Sequence, residues 1–215
     1  MICGIDEAGR GPVIGPMVVA GVRVNDDGRL IEFEVKDSKM LSASRRDELE
    51  KKIKKDTNYV IREISSSDID TLRNSMTLNQ LEANVFAAII EELCDEEDIC
   101  YVDSASTNEG RFGKMVKKGI EKQVKIVSEH EADRDYPVVS AASILAKVER
   151  DRQISMISEK IGRDIGSGYP SDQRTREFLK SWISENGSLP PHTRKSWKTC
   201  ETLLNEHKTR SLDQF

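Results

Sequence analysis

The sequence predicts a mixed α/β protein. Residues 2–6 and 13–24 are short apolar runs rich in Val and Ile, which is typical of buried strands. Later segments place apolar residues three and four positions apart, as amphipathic helices do. A chain of 215 residues with both patterns is long enough for one α/β core and a small C-terminal addition.

The first two predicted strands are separated by Gly11-Pro12, a pair compatible with a hairpin, and Asn25-Asp26-Asp27-Gly28 then supplies a turn. Further strands are predicted at residues 33–35, 59–64, 99–103 and 123–128. The strand at 99–103 repeats the pattern of the first strand, because a short apolar run again finishes in an aspartate, Asp103.

Helices are predicted where a capping residue precedes a helical pattern. Thr77-Leu78-Asn79-Gln80 matches a capping box, and the apolar stripe after it predicts a helix that ends near Leu93. The acidic run at 95–98 is expected to end that helix in solvent. Other helices are predicted to begin at Ser42, near Pro137, at Ser171 and after Pro190-Pro191. The helix at Pro137 is the longest, ending near Ile161.

Composition indicates a soluble, heavily charged globule, with 33% charged and 37% hydrophobic residues. No apolar run approaches the roughly 18 residues that span a membrane. The cysteines are scattered and form no Cys-x-x-Cys pair, which favours reduced thiols. They are Cys3, Cys94, Cys100 and Cys200. We therefore expect a cytoplasmic protein without a membrane partner, and nothing in the sequence demands more than a monomer.

Two basic segments contrast with the net charge of −5. Residues 111–125 carry six basic side chains and one acidic side chain, Glu121. In the second segment Arg194, Lys195 and Lys198 surround Trp197. One such cluster is more often a solvated face, but two of them beside an acidic metal site are compatible with binding a polyanion.

Carboxylates follow three of the predicted strands: Asp6 and Glu7, then Asp103, then the segment that ends in Asp133. Functional groups gather where neighbouring strands of a sheet end. Four carboxylates meeting there would carry a charge of about −4, which two divalent cations would balance. Oxygen ligands favour Mg²⁺ or Mn²⁺, and no Cys/His spacing for zinc is present.

A simpler interpretation of the first motif also exists. Asp6 and Glu7 could merely cap a turn, because neighbouring strand residues point to opposite faces of a sheet. The two carboxylates reach one site only if the strand ends there, which the following Ala8-Gly9 allows.

Taken together, the motifs resemble those of the ribonuclease HII family, and most closely its archaeal members. They occur in the family's order over nearly the whole chain, and the first and fifth are long. They are Gly4-Ile5-Asp6-Glu7-Ala8-Gly9-Arg10-Gly11-Pro12, Asp37-Ser38-Lys39, Val102-Asp103, Ala132-Asp133, the run from Pro137 to Asp151, and Gly166-Ser167-Gly168-Tyr169-Pro170-Ser171-Asp172.

The resemblance implies a ribonuclease H-like α/β core, with a mixed central sheet flanked by helices and a small C-terminal helical region. The catalytic core would span 1–165, a substrate-binding helical region 166–208 and a tail 209–215. The implied activity is an endonuclease that cleaves the RNA strand of RNA–DNA hybrids. It also nicks duplex DNA on the 5′ side of embedded ribonucleotides, leaving 3′-hydroxyl and 5′-phosphate ends.

The resemblance also implies which residues act. Two divalent ions, Mg²⁺ or Mn²⁺, would be held by the catalytic acids Asp6, Glu7, Asp103 and Asp133. The backbone of Gly9-Arg10-Gly11 would approach the 2′-hydroxyl that distinguishes RNA from DNA, and Tyr169 would pack on the sugar at the RNA–DNA junction. The remaining expected contacts to the nucleic-acid backbone are Lys39, Ser140, Ser143 and Lys147.

Each of these contacts has a structural alternative. Tyr169 could be a core tyrosine and Lys39 a surface lysine, whereas Ser140 and Ser143 are small enough simply to permit tight helix packing. His130 between acids is expected to be a surface residue rather than a general base.

The tail resembles a peptide that docks on the sliding clamp, since Leu212 and Phe215 have the spacing of its apolar anchors. Thr209 replaces the expected glutamine and the chain stops before a second aromatic residue, so a frayed tail is the alternative.

Two alternative functions stay open. The HIII type of ribonuclease H carries an additional N-terminal domain, which is not expected here because the catalytic strand begins at residue 2. A protein that binds hybrids or DNA but has lost catalysis is disfavoured by the presence of all four acids.

Overall fold

The computed structural model describes residues 1–35, 41–106 and 108–212, the last three of them by backbone alone. The chain divides into two compact units that are interleaved in sequence. The first comprises Met1–Ala8, Val18–Glu63 and Met76–Glu149, and the second Gly9–Met17, Ile64–Ser75 and the chain from Arg150 on. The functional division at residues 165 and 208 stays a prediction.

A five-stranded mixed sheet forms the centre of the first unit, in the order β3-β2-β1-β4-β5. Strand β1 is antiparallel to β2 and parallel to β4, and β4 is parallel to β5. The mixed sheet flanked by helices agrees with the predicted α/β class. The strands are β1 (Ile2–Ala8), β2 (Met17–Val24), β3 (Asn58–Ile64), β4 (Ile99–Asp103) and β5 (Lys125–Glu129).

The helices of the described residues alternate with these strands and then follow them. They are α1 (Gly28–Glu32), α2 (Ala43–Asp56), α3 (Ser66–Leu72), α4 (Leu78–Leu93), α5 (Glu109–Lys118), α6 (Ala132–Asp135), α7 (Pro137–Ile161), α8 (Gln173–Asn186) and α9 (Lys198–Leu212). None of them has the length and apolar content required to cross a lipid bilayer.

Helix α7 packs directly on β1 in the first unit. At Gly4 an added Cβ would lie 2.4 Å from the backbone of Val138 and Val139, so only glycine permits this approach. Buried residues of β2 on the same face, among them Val18 and Val22, join the first half of α7 in one hydrophobic core. Because successive strand residues alternate between faces, Asp6 lies on the same face as Gly4.

The second unit has a core of its own. The second half of α7 contributes Ile154 and Ile157, and α8 contributes Phe178 and Leu179. Val13 and the neighbouring Ile14, from the segment after β1, also belong to this core. Residues 13–16, which the sequence predicts to be the start of the second strand, therefore form a loop that packs into this core.

Several predicted elements are confirmed by their local hydrogen bonds. Thr77 and Gln80 form the reciprocal capping box that begins α4. The Ser42 hydroxyl accepts from the Arg45 N–H at the start of α2. The long helix at Pro137 begins and ends where the sequence predicts, and its first position is one that tolerates proline.

Other predictions are wrong. Residues 33–35 are not a strand, because Phe33 is the C-cap of the short helix α1. Helix α8 is capped by Asp172, whose side chain accepts from the Arg174 N–H, and not by Ser171. Asp98 is buried rather than solvated, since it pairs with the Met1 amino group at 2.9 Å and with Arg23 at 2.7 Å.

Candidate active site

The parallel register of β1 and β4 brings two acids together. The last paired residues of these strands are Ile5 and Val102, so Asp6 and Asp103 occupy the next position on each strand. Strand ends in parallel register lie at one edge of a sheet, where functional groups collect. Asp6 is only 4% exposed, whereas Asp103 is partly exposed.

Glu7 joins these acids, although β1 does not end there. Strand β1 continues to Ala8 in its pairing with β2, but its pairing with β4 stops at Ile5. The edge of β1 toward β4 is therefore open beside Glu7, and its carboxylate reaches the same site. One carboxylate oxygen from each of Asp6, Glu7 and Asp103 lies within 4.8 Å of the other two.

The electrostatics of this three-acid cluster are unfavourable without a cation. Burial raises the pKa of Asp6 well above its ordinary value, and the charges of Glu7 and Asp103 raise that pKa further. Hydrogen bonds from the Ser143 side chain and from the Glu7 N–H, at 2.7 Å, oppose the shift only in part. The donor set is all oxygen and crowded with negative charge, which fits a hard divalent cation.

Asp133 lies near this cluster but outside the group of mutually close oxygens. The N–H of the preceding residue, Ala132, donates to Asp103 Oδ1 at 2.8 Å, which ties the start of α6 to the end of β4. Asp133 itself is 2% exposed. The structure thus brings three of the four predicted acids into one cluster and positions the fourth on an adjoining turn.

The three predicted contacts on α7 have different surroundings. Ser143 hydrogen-bonds Asp6, so it belongs to the acidic cluster. Ser140 is buried and its hydroxyl donates to the Val35 carbonyl, which links α7 to the loop before residue 36. Lys147 lies one turn beyond Ser143 and is partly exposed. Lys39 lies outside the described residues.

In the second unit, the two motifs expected to contact RNA lie together. The N–H groups of Val13 and Ile14 donate to the Gly168 carbonyl at 2.8 and 3.2 Å. A Cβ at Gly11 would lie 3.7 Å from the Tyr169 ring, so the Gly9–Gly11 loop and the ring are in contact across a position with no side chain. Tyr169 is partly exposed rather than a core residue.

A buried arginine stabilises the Gly9–Gly11 loop. Arg194 donates from Nη2 to the Gly9 carbonyl at 2.5 Å, from Nη1 to the Arg10 carbonyl at 2.8 Å and from Nε to the Gly15 carbonyl at 3.0 Å. Burial lowers the pKa of Arg194 to about 10, which leaves it cationic at neutral pH. This role is not predicted from the sequence, in which Arg194 stands among basic residues typical of a surface.

Two further contacts hold the same region. The Trp197 indole N–H donates to the Gly11 carbonyl at 3.3 Å, and the Arg194 guanidinium stacks 4.9 Å from the Trp197 ring centre. The guanidinium of Arg150, from the second half of α7, lies 5.0 Å from the Tyr169 ring centre and donates to the Ser167 carbonyl. The backbone around both motifs that are expected to contact RNA is thus fixed by buried cations.

The basic segment at 111–125 is only partly available to a ligand. Lys117 donates to the carbonyls of Lys122 and Val124, and Lys122 donates to those of Glu91 and Cys94. These two lysines connect backbone segments. The other basic residues of the segment are exposed: Arg111, Lys114, Lys118 and Lys125.

Removing the Arg194 side chain is predicted to be severely destabilising. Arg194→Ala leaves three backbone carbonyls without their donor, at about 1–3 kcal/mol for each that stays buried. We expect a loss of at least about 3 kcal/mol, which lowers Tm by roughly 6–12 °C. Arg194→Lys should retain part of the stability. Lys195→Ala, at an exposed neighbouring position, should stay within about 0.5 kcal/mol of wild type in urea unfolding. A similar small change for Arg194→Ala would contradict this role.

Asp6 is predicted to shape the pH dependence of stability in the metal-free chain. Its raised pKa means that the folded chain keeps this proton to a higher pH than the unfolded chain, where the pKa of Asp is about 3.9. The stabilisation is therefore present below about pH 4 and lost as pH rises through the raised pKa.

Asp6→Asn should remove this loss of stability with rising pH. It should also raise Tm by a few degrees at neutral pH, measured by calorimetry in excess chelator. Asp135→Asn, at an exposed carboxylate of α6, is the matched control and should leave the profile unchanged. An identical dependence of Tm on pH in wild type and Asp6→Asn would show that the pKa of the Asp6 carboxyl is not raised in the folded chain.

The chain is similar to known proteins over nearly its whole length. The family model for ribonuclease HII matches residues 3–200. The ribonuclease HII of Methanoregula boonei is 47% identical over 215 residues, covering all of both chains. The ribonuclease H2 of Pyrococcus horikoshii OT3 superposes with a TM-score of 0.88 at 38% identity, covering 96% of this chain and 98% of that one.

A second solved structure is that of the PCNA:RNase HII complex from Archaeoglobus fulgidus. Its matching chain superposes with a TM-score of 0.86 at 45% identity and covers 94% of this chain and 96% of that one. The matches confirm the ribonuclease H-like core with its C-terminal helices. The chain belongs to the ribonuclease HII family, a family of ribonuclease H hydrolases.

Proposed function

We propose that this chain is an endonuclease that cleaves the RNA strand of RNA–DNA hybrids and nicks duplex DNA on the 5′ side of an embedded ribonucleotide. The products would carry 3′-hydroxyl and 5′-phosphate ends. The observation that carries the proposal is the cluster of the buried Asp6 with the partly exposed Glu7 and Asp103, in which one carboxylate oxygen of each lies within 4.8 Å of the other two. Membership of the ribonuclease HII family supports the same activity.

The donor set fits divalent metal ions. Oxygen-only ligands suit Mg²⁺ or Mn²⁺. The raised pKa of Asp6 reflects burial first and then the charges of Glu7 and Asp103, and a bound cation would offset both. Asp6, Glu7 and Asp103 would hold the ions, with Asp133 as the fourth proposed ligand. A pair of such ions supplies activation of a water and stabilisation of the departing oxygen in phosphodiester hydrolysis.

The chain's own residues would orient these acids and the substrate. Ser143 fixes the Asp6 carboxylate through its hydrogen bond. We assign phosphate contacts to Lys39 and Lys147, and we retain Ser140 as a proposed backbone contact. The proposed role of Ser140 requires that its bond to the Val35 carbonyl be shared or exchanged.

Recognition of the ribonucleotide is assigned to the second unit. The 2′-hydroxyl is the group by which a protein separates RNA from DNA. The backbone of Gly9, Arg10 and Gly11 is held by Arg194 and Trp197, and Tyr169 lies against Gly11 with its ring partly exposed. A rigid loop beside an exposed aromatic ring suits stacking on a sugar while the loop contacts its hydroxyl.

The decisive experiment uses duplex DNA with one ribonucleotide and follows nicking on a denaturing gel. We expect cleavage with Mg²⁺ or Mn²⁺ and none with EDTA. Asp103→Asn should lower kcat by at least about 100-fold, because a charged ligand for the catalytic ions is lost. Asp135→Asn, an exposed carboxylate outside the cluster, should leave kcat unchanged.

Tyr169→Ala in the same assay should reduce cleavage at a single ribonucleotide more than cleavage of a continuous hybrid. If the wild type binds both duplexes tightly but nicks neither of them with any metal, the alternative of a binding protein that has lost catalysis would be supported instead. Full activity of Asp103→Asn would remove that residue from the site.

A sliding clamp is the proposed protein partner. The Archaeoglobus fulgidus relative was solved as a PCNA:RNase HII complex, and the tail of this chain places Leu212 and Phe215 at the spacing of clamp-docking anchors. Phe215 lies outside the described residues, and Leu212 is the last residue of α9.

Deleting residues 209–215 is expected to weaken binding to immobilised PCNA by at least about tenfold while cleavage of short duplexes is unchanged. A Leu212→Ala/Phe215→Ala double variant should reproduce the loss, and Lys208→Ala, just before the deleted segment, should not. Equal PCNA binding by the full and shortened chains would exclude the tail as the docking peptide.

A further inference from the structure

Three of the four cysteines form a buried cluster in the first unit, separate from the acids. Cys3 lies on β1 and Cys100 on β4, and the two residues are direct partners in the parallel register. Cys94 is the C-cap of α4, anchored by its N–H to the Ile90 carbonyl. The three sulfur atoms lie within 4.8 Å of one another, and each residue is at most 1% exposed.

Asp6 and Asp103 of the acidic cluster lie on the opposite face of the same two strands from Cys3 and Cys100. Asp6 is three positions after Cys3 on β1, and Asp103 is three positions after Cys100 on β4. An odd spacing along a strand changes the face. The thiols face α4, because their neighbour Ile5 on that face lies near Gly21, where Ile89 of α4 also packs.

The spacing of the sulfurs suits coordination of a single ion. Thiolates about 2.3 Å from a metal in a trigonal arrangement are about 4 Å apart. The observed upper limit of 4.8 Å requires only a small contraction. Two of the sulfurs are fixed by the sheet and the third by a helix end, so little chain entropy is lost on binding.

We propose that Cys3, Cys94 and Cys100 form a three-thiolate site for a soft metal ion of the Zn²⁺, Cd²⁺ or Cu⁺ type. Thiolate sulfur selects soft ions, whereas the hard ions of the proposed reaction prefer the carboxylates. Binding replaces up to three S–H bonds by metal–sulfur bonds and releases the protons to solvent. Arg23 lies opposite Cys3 in the β1–β2 register, and its guanidinium is paired with Asp98 at 2.7 Å and with Asp95 at 2.5 Å.

Because the site is buried, an ion enters as the chain folds or during local opening at the end of α4. Its binding free energy then adds to the stability of the sheet.

The test uses the full chain produced in cells supplied with Cd²⁺, purified with a non-thiol reductant and freed of loose metal by gel filtration. We expect one retained Cd²⁺ per chain with a sulfur-to-cadmium charge-transfer band in the ultraviolet. The Asp6→Asn/Asp103→Asn double variant should keep the band, which separates thiolate-bound cadmium from cadmium on the carboxylates.

Cys94→Ala should reduce the band and the retained metal at least tenfold. Cys200→Ala, which removes a buried cysteine of the second unit, is the matched control and should change neither. If Cys94→Ala fails to fold by circular dichroism, Cys100→Ala takes its place. A wild-type chain without the band, or equal bands in wild type and the cluster variant, would overturn the proposal.

Discussion

The site depends on one constraint, which is the close contact of carboxylates that are poorly solvated by water. The register of β1 against β4 ends at Ile5 and Val102, and this brings Asp6 and Asp103 to the same sheet edge. The close packing of α7 at Gly4 then covers the Asp6 side of the sheet. This charge arrangement is unfavourable for the folded chain, and the cations proposed to bind there would compensate for it.

The second unit has a different role, which is to fix the conformation of the glycine-containing loop at residues 9–11. The Gly9–Gly11 segment has few side-chain atoms with which to pack, and Gly9 adopts φ +83°. Rigidity comes instead from Arg194 and Trp197, which bind the loop through its carbonyl groups. Preorganisation of this kind reduces the entropy lost when a ligand is bound.

Structural features that depend only on neighbouring residues, such as the starts of several helices, were predicted correctly from the sequence. The capping box at Thr77 and the proline at the start of α7 are examples, as each is read from a few adjacent positions. The short helices α1, α3 and α6 were missed because a helix of seven residues or fewer is stabilised mainly by tertiary packing. Helix α5 was missed as well, because its buried residues Phe112 and Val116 stand among basic side chains that suggest a solvated face. The ends of the predicted strands pointed to Asp6, Glu7 and Asp103, and the resemblance to a family selected Asp133 from the acidic segment after the fifth strand. The open edge of β1 beside Glu7 and the burial of Arg194 could not be predicted, because both depend on partners distant in the chain.

The clamp at Arg194 also bears on how the protein is made. Its three acceptors lie 179, 184 and 185 residues earlier in the chain. A ribosome releases the N-terminal loop long before residue 194 leaves the exit tunnel, so a nascent chain has the loop without the groups that fix it. The loop proposed to recognise the ribonucleotide therefore becomes ordered only when synthesis is nearly complete.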